Sequence, residues 1–257
     1  MSPKKSLGQH FLRDPNILRR IAAALEITPG DTVLEIGPGP GGLTEQLYGL
    51  TDRLMAIEKD RDLVPPLRAR FPRMELVEAD ALEVDWHELT GPGPVCIAGN
   101  IPYNITSPLL EQALMPPRPR VIVYLVQKEV ADRVAAPPGG SDYGALTVGI
   151  QAVAKVERLF KVPAGAFHPP PKVDSAVLRL RPLETPLIAD DQVASFRRFV
   201  VGLFGFRRKQ LVRGLRELRG AEAETAQRWV EQAGLVASAR PQELSPGDFV
   251  ALFRSVD

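Results

Sequence analysis

An apolar run, Val95 to Ala98, predicts a buried strand. The stretch Asn100 to Tyr103 follows this strand and carries an amide, a proline and an aromatic ring. An aromatic amine is a poor nucleophile, and its two N–H groups could donate to the Asn100 amide oxygen and to a backbone carbonyl of the turn. Pro102 would hold these acceptors in a fixed geometry, and Tyr103 offers a flat face on which a base can stack. The same residue types are also typical of an ordinary turn. The stretch therefore raises the hypothesis of a site that acts on a base amine.

A glycine-rich segment, EIGPGPGG at residues 35–42, ends the first predicted strand. Three glycines match the dinucleotide-binding pattern G-x-G-x-x-G: Gly37, Gly39 and Gly42. Glu58 lies about 20 residues further along, at the end of the second predicted strand, where a carboxylate can accept both hydroxyls of a ribose. The pattern fits a nicotinamide dinucleotide and S-adenosylmethionine equally well. Pro38 and Pro40 remove two N–H donors that a pyrophosphate needs, which favours S-adenosylmethionine.

Three further groups are candidates for the same site. Asp80 follows the third predicted strand and could accept the 6-amino group of an adenine, although a turn or helix-capping aspartate has the same signature. The segment GQHFL, residues 8–12, could fold over the site as a lid or be an unstructured end. Phe167, in a proline-rich loop at residues 166–175, could provide a second stacking face opposite Tyr103.

The composition is that of a globular protein without a disulfide framework. The chain has 257 residues, of which 44% are hydrophobic and 25% charged, and its single cysteine is Cys96. The histidines, at positions 10, 87 and 168, share no ligand spacing with this cysteine, so no metal site is expected. No apolar run is long enough to cross a bilayer and no secretion signal is visible, which predicts a cytoplasmic protein with no membrane partner.

Basic residues are concentrated between positions 196 and 220, although the formal net charge of the chain is only +1. Glu217 is the one acid in this stretch. The basic residues are Arg197, Arg198, Arg207, Arg208, Lys209, Arg213, Arg216 and Arg219. Such a stripe could contact the phosphates of a nucleic acid, or it could simply be the solvated face of helices.

Predicted strands alternate with helices in the first part of the chain, which is typical of an α/β protein with a parallel sheet covered on both faces. The predicted strands are at 32–36, 53–58, 75–78, 95–98 and 121–126. Two later runs predict an antiparallel pair that completes the sheet, at 145–156 and 173–180. Beyond residue 182, runs with helical spacing predict a small all-helical domain, at 193–204, 209–218, 221–233 and 246–253.

Seven motifs occur in an order that resembles one known family: LGQHFL, EIGPGPGGLT, AIEKD, EADAL, GNIPYNITSPLL, QKEVADR and FHPPPKVDSAV. The chain resembles the small-subunit ribosomal RNA adenine dimethyltransferases over its whole length, and the bacterial branch fits best. The resemblance implies a Rossmann-like S-adenosylmethionine-dependent methyltransferase domain at 1–182, whose residues 1–14 form a lid, and a helical rRNA-docking domain at 183–257. It implies dimethylation of N6 on two adjacent adenosines in the 3′-terminal hairpin of small-subunit (16S) rRNA. A monomer acting within a pre-ribosomal small subunit is expected.

The resemblance also implies roles for individual residues. Cofactor contacts are expected at His10, Leu12, Gly37, Glu58, Asp80 and Asn100. Catalytic roles are expected at Asn100, Pro102 and Tyr103, and stacking on the target base at Tyr103 and Phe167. Contacts to the RNA backbone are expected at Arg197, Arg198, Arg207, Arg208 and Lys209. Two positions depart from the family pattern, because Ile101 stands where leucine is usual and His10 where asparagine is frequent.

Other functions remain open at the level of sequence. A DNA adenine-N6 or a glutamine methyltransferase uses a related Asn-Pro-x-aromatic motif. A ribosome-assembly factor could keep the fold without catalysis, although the intact Glu58, Asp80 and Asn100 argue against that. A nicotinamide dehydrogenase would share the glycine loop.

Overall fold

The structure, a computed structural model, describes residue 4 and residues 9–256. The chain divides into two compact units, one formed by residues 1–131 and 156–182 and the other by residues 132–155 and 183–257. The domain boundary predicted at residue 182 lies at the third crossing of the chain between the units. The methyltransferase domain predicted over 1–182 includes residues 132–155, whereas the structure groups this segment with the second unit.

A seven-stranded sheet forms the centre of the first unit. In chain order the strands of the protein are β1 (Phe11–Leu12), β2 (Thr32–Ile36), β3 (Leu54–Glu58), β4 (Glu75–Glu78), β5 (Val95–Asn100), β6 (Val121–Gln127), β7 (Ala154–Val162), β8 (Phe167–His168) and β9 (Ser175–Pro182). The sheet order is β4-β3-β2-β5-β6-β9-β7, whereas β1 and β8 form a separate antiparallel pair. The strands from β2 to β6 pair in parallel and β9 runs antiparallel to β6. The predicted α/β fold with a parallel sheet is confirmed.

One helix precedes the parallel strands and another follows each of them. They are α1 (Pro15–Ala24), α2 (Gly42–Tyr48), α3 (Val64–Arg70), α4 (Trp86–Thr90), α5 (Thr106–Ala113) and α6 (Lys128–Val134). Asp14 caps α1 by accepting the backbone N–H groups of Asn16 at 2.8 Å and Ile17 at 3.2 Å. Because β2, β3, β4 and β5 run parallel, their carboxyl ends lie at the same edge of the sheet and the loops that follow them meet there.

Strand β5 extends two residues further than predicted, to Asn100. Gly99 pairs with Ile36 of β2, and a Cβ atom at Gly99 would lie only 2.7 Å from the carbonyl oxygen of Ile36. The glycine therefore allows the two strands to stay paired up to the point where the chain leaves the sheet. As a result, Asn100 is held by strand pairing rather than by a free loop.

The prediction of a strand over residues 145–156 is wrong. Residues Ala145–Gln151 form a helix, α7, and the neighbouring strand β7 begins only at Ala154. Thr147, Val148 and Ile150 favour strands by their β-branched side chains, but all three are buried within the second unit. The Thr147 hydroxyl also accepts the Gly144 N–H at 3.2 Å and donates to the Arg133 carbonyl at 2.7 Å, which anchors the start of the helix.

The remaining helices of the second unit match the predicted helical runs closely. They are α8 (Val193–Phe204), α9 (Leu211–Arg219), α10 (Ala223–Gln232) and α11 (Pro246–Val256). Their core is aromatic, since the ring of Phe253 lies 5.6 Å from the rings of both Phe196 and Phe199. Within the described residues, no helix is long and apolar enough to cross a membrane.

Substitution Gly99→Ala should destabilise the first unit. The added methyl group would meet backbone and side-chain atoms 2.7 Å away, so β2 and β5 would have to separate. We expect the free energy of unfolding to fall by about 1–3 kcal/mol, measured by urea denaturation. Gly49→Ala is the matched control, because a Cβ atom there has nothing within 4 Å. Equal stability of the two variants would contradict this account of Gly99.

Candidate active site

One cavity lies at the carboxyl edge of the sheet, where the loops after β2, β3, β4 and β5 meet. Residues 9–12 of the N-terminal segment form a further wall. The structure gathers most of the predicted cofactor and catalytic residues here: His10, Leu12, Gly37, Glu58, Asp80, Asn100, Pro102 and Tyr103. These side chains come from five separate stretches of the sequence, so the fold alone brings them together.

Glu58, the last residue of β3, is buried and held by backbone donors. Its Oε2 accepts the N–H of Gly39 at 3.0 Å, and its Oε1 accepts the N–H of Asp60 at 2.7 Å. Gly39 has a φ of 58°, a left-handed conformation that directs this N–H towards the carboxylate. Burial raises the pKa of Glu58, while the two backbone hydrogen bonds favour its charged form. Each carboxylate oxygen retains a lone pair that can accept a hydroxyl group.

Asp80, just beyond β4, has a different environment. Its Oδ2 accepts from the Lys59 ammonium at 2.6 Å and its Oδ1 accepts the Leu82 N–H at 3.0 Å. The hydrogen bond from Lys59 lowers the pKa of Asp80, which keeps the carboxylate ionised. Asp80 thus accepts a backbone N–H within its own turn, as a turn aspartate would, and it also lines the cavity. Across residue 4 and residues 9–256, no group of three or more His, Cys, Asp or Glu side chains could hold a metal ion.

The orientation of the Asn100 amide follows from a single hydrogen bond. Its Nδ2 donates to the carbonyl oxygen of His10 at 2.8 Å. Because a carbonyl can only accept, the amide nitrogen must face His10. The Oδ1 atom of Asn100 is consequently the part of the amide that remains to accept a hydrogen bond from a group in the cavity.

Tyr103 is fixed at both its hydroxyl and its ring. The hydroxyl lies 2.8 Å from the Ser175 Oγ, and burial raises the pKa of the phenol, which therefore stays neutral. The His10 ring stacks on the tyrosine ring with centroids 5.8 Å apart and an interplanar angle of 24°. His10 Nδ1 lies 2.9 Å from the Pro169 carbonyl oxygen, and since this oxygen only accepts, Nδ1 carries the proton.

Phe167 does not lie with the other predicted site residues. It is buried in the hydrophobic core of the first unit, and its backbone pairs with Leu12 between β1 and β8. It is absent from the cavity lining, and the aromatic ring beside Tyr103 belongs to His10 instead. The sequence predicted that His10 and Phe167 both lie near the site, but it could not show which of the two rings contacts Tyr103.

Glu35 is a cavity residue that the sequence analysis did not single out. It is 1% exposed, and its Oε2 has no hydrogen-bond partner within the described part of the chain. Burial, assisted by the charge of nearby Glu58, raises the pKa of Glu35 to about 8. Its signal in the sequence is an acid inside an otherwise apolar strand, a position that carboxylates rarely occupy without a partner.

The five arginine and lysine residues expected to contact RNA differ in their surroundings. Arg197 is half-buried and packs against Gly149 of α7. Arg207 donates to the Gln242 side chain at 3.3 Å, and the Lys209 ammonium lies 2.6 Å from the Glu217 carboxylate. Arg198 and Arg208 are exposed and have no polar side-chain partner among the described residues. Among the described residues, Arg198 and Arg208 are therefore the two of these five side chains that are not engaged by a polar side chain.

Solved structures identify the class of protein to which this fold and cavity belong. The chain is similar to the 23S rRNA methyltransferase ErmE, with 31% identity, a TM-score of 0.74 and coverage of 96% of this chain and 99% of that chain. It is also similar to a dimethyladenosine transferase from Plasmodium falciparum, with 27% identity, a TM-score of 0.80 and coverage of 95% and 96%. The molecule is a Rossmann-like methyltransferase, a class that uses a methyl donor of the S-adenosylmethionine type.

The family follows from sequence comparison. The family model described as ribosomal RNA adenine dimethylase matches residues 1–256, and the chain belongs to this family. A curated relative, ribosomal RNA small subunit methyltransferase A of Prosthecochloris aestuarii, is 48% identical over 83% of this chain and 82% of its own length. The resemblance inferred from the seven motifs is thereby confirmed.

Substitution Glu35→Gln should remove the loss of stability that the unaltered protein shows as pH rises from 4.5 to about 8. The pKa of about 8 in the folded protein exceeds the ordinary value of 4.5, so between these values only the folded state keeps the proton. The free energy of unfolding of the unaltered protein should therefore fall as pH rises through this range, by up to roughly 4 kcal/mol from this site.

The measurement is urea denaturation between pH 5 and pH 9 without cofactor, in which the variant should show a flatter profile. Glu75→Gln, at an exposed position of β4, is the control and should retain the pH dependence of the unaltered protein. Parallel profiles for Glu35→Gln and the unaltered protein would show that Glu35 is ionised in the fold.

Proposed function

We propose that the protein uses S-adenosylmethionine to dimethylate N6 of two adjacent adenosines in the 3′-terminal hairpin of small-subunit (16S) rRNA. The observation that supports this most strongly is the oriented Asn100 amide, whose Oδ1 remains as an acceptor beside Pro102 and Tyr103. The relative named for the small ribosomal subunit supports the choice of RNA. We further propose that the protein acts as a cytoplasmic monomer on a pre-ribosomal small subunit.

The residues of the cavity fit S-adenosylmethionine. Glu58 can accept the two ribose hydroxyls, because its carboxylate is fixed by two backbone N–H groups and still has lone pairs. Asp80 can accept an adenine amino group through its ionised carboxylate. Glu35, with an unpartnered Oε2, is an acceptor for a polar donor near the glycine loop. Leu12, His10 and Gly37 would complete the lining.

The protein needs only to hold and orient the target amine. When bound, S-adenosylmethionine supplies an electrophilic methyl group on a sulfonium. The Asn100 Oδ1 and a backbone carbonyl of the turn at Pro102 accept the two N–H groups, which stabilises the positive charge that develops on the nitrogen. Once methylated, the nitrogen is acidic and can release its proton to water, so no general base with a shifted pKa is required.

Stacking would hold the target base in place. The Tyr103 ring is immobilised by the contact of its hydroxyl with Ser175 and by the His10 ring. Base stacking on an aromatic side chain contributes roughly 1–3 kcal/mol. We assign the stacking role to Tyr103. Phe167 would serve as a second stacking residue only after a movement of β8, because its ring is buried in the core here.

The Asn100→Ala variant tests the proposed reaction. Small ribosomal subunits from a strain without the dimethyladenosines are incubated with labelled S-adenosylmethionine, and the modified nucleotides are mapped by mass spectrometry. We expect the unaltered protein to label two adjacent adenosines near the 3′ end, and Asn100→Ala to be slower by roughly 100-fold or more.

Asn16→Ala, at an exposed position on α1, is the control and should retain the full rate. Large subunits and duplex DNA are tested in parallel, since ErmE is named for 23S rRNA. Labelling of either of these in preference to small subunits would overturn the proposed substrate, and full activity of Asn100→Ala would overturn the mechanism.

The double substitution Arg198→Ala with Arg208→Ala should weaken binding to small subunits without altering the cavity. If each cation neutralises one phosphate, the slope of log affinity against log salt should decrease by about one for each substitution. Filter binding between 50 and 200 mM salt measures this slope. Arg228→Ala, on α10 outside the basic stretch, is the control. An unchanged slope in the double variant would mean that this face does not contact RNA.

A further inference from the structure

We propose that Asp60 is a positioning residue of the cofactor site, because its buried carboxylate fastens the N-terminal segment across the cavity and thereby slows release of the bound nucleoside. The inference rests on the proposed function, since it concerns the same cavity. It assigns a role to Asp60, which the sequence analysis did not single out, and individual contacts to Lys4 and Gln9 of the expected lid segment.

Asp60 lies two residues beyond Glu58 and is 4% exposed. Its Oδ1 is 2.5 Å from the Lys4 ammonium and accepts the Asp62 N–H at 3.1 Å, and its Oδ2 accepts from Gln9 Nε2 at 2.9 Å. The Oε1 of Gln9 in turn accepts the backbone N–H of Lys4 at 2.8 Å. Lys4, Gln9 and Asp60 therefore close a ring of hydrogen bonds, which we call the Asp60 latch.

The latch depends on Asp60 more than on its exposed neighbour Asp62. Lys4 also lies 2.6 Å from Asp62, but the Asp62 side chain is 66% exposed, and such surface pairs contribute little. A buried carboxylate that loses its partners is left with an uncompensated charge, which is far more costly. Burial would raise the pKa of Asp60, but the hydrogen bonds from Lys4 and Gln9 outweigh it, so the net pKa is lowered. The charged carboxylate therefore favours the fastened segment.

The fastened segment contacts the ends of three strands. Gln9 is held at the end of β3 through Asp60, and the His10 carbonyl accepts from Asn100 at the end of β5. The Phe11 ring covers the glycine loop after β2, since a Cβ atom on Gly39 would lie 3.2 Å from that ring. Residues 9–12 therefore wall the cavity from the side opposite the sheet edge.

The latch also acts on the residue that would hold the ribose. The backbone N–H of Asp60 donates to Oε1 of Glu58 at 2.7 Å, so one residue secures both the segment and the carboxylate. Residues 9–12 form one wall of the cavity, and their movement away from it would break the contact of Asp60 with Gln9 and open this side to a bound nucleoside. Loss of the latch should therefore increase the rate of release and weaken binding.

The test is calorimetric binding of S-adenosylhomocysteine to the full chain, together with hydrogen exchange of peptides that cover residues 9–14. We expect Asp60→Asn to raise the dissociation constant at least tenfold, while the matched control Asp62→Asn changes it by less than twofold. The ligand should slow hydrogen exchange of residues 9–14 in the unaltered protein and in Asp62→Asn, but much less in Asp60→Asn.

Lys4→Ala is the second variant, chosen because the Lys4 side chain is 38% exposed and can be removed without affecting the core. Lys4→Ala should also raise the dissociation constant for S-adenosylhomocysteine. If Asp60→Asn does not fold, an unaltered dissociation constant of Lys4→Ala would overturn the proposal. Folded Asp60→Asn with an unaltered dissociation constant, or equal weakening by Asp62→Asn, would overturn the role of Asp60. Failure of the unaltered protein to bind S-adenosylhomocysteine would instead overturn the proposed function, and the latch with it.

Discussion

The carboxylate of Glu58 is the group on which the arrangement of the site depends most. It accepts one N–H from the glycine loop after β2 and another from Asp60 at the end of its own strand. These two hydrogen bonds hold together loops that lie about 20 residues apart in the chain. A buried carboxylate needs such donors, and the positive φ of Gly39 supplies one of them at a position where other residues would be strained.

The acidic side chains around the cavity differ in pKa because their surroundings differ. Glu35 is buried and contacts no cation within residue 4 and residues 9–256, and burial raises its pKa to about 8, whereas Lys59 lowers the pKa of Asp80. The cavity therefore holds Glu35 as a neutral acid beside Glu58, which limits the repulsion between these two side chains. Glu35, Glu58 and Asp80 can therefore bind a nucleoside by hydrogen bonds, and none of them needs to serve as a general base.

The N-terminal segment completes the site from outside the sheet. His10 has three contacts, through its carbonyl to Asn100, its Nδ1 to Pro169 and its ring to Tyr103. This histidine thus provides a ring that stacks on Tyr103 at the edge of the cavity. Its carbonyl also determines which end of the Asn100 amide faces the cavity.

The sequence alone determined the alternation of strands and helices, the residues at the strand ends and the family. These features are local, since periodicity, glycine positions and polar residues after apolar runs can be read over a few residues. It did not determine that residues 145–151 form a helix, because β-branched side chains favour strands and only their burial in the second unit decides otherwise. Nor did it show that Phe167 is buried, or that Lys4 and Gln9 meet Asp60. These are contacts between residues far apart in the chain, and only tertiary packing decides which partners meet.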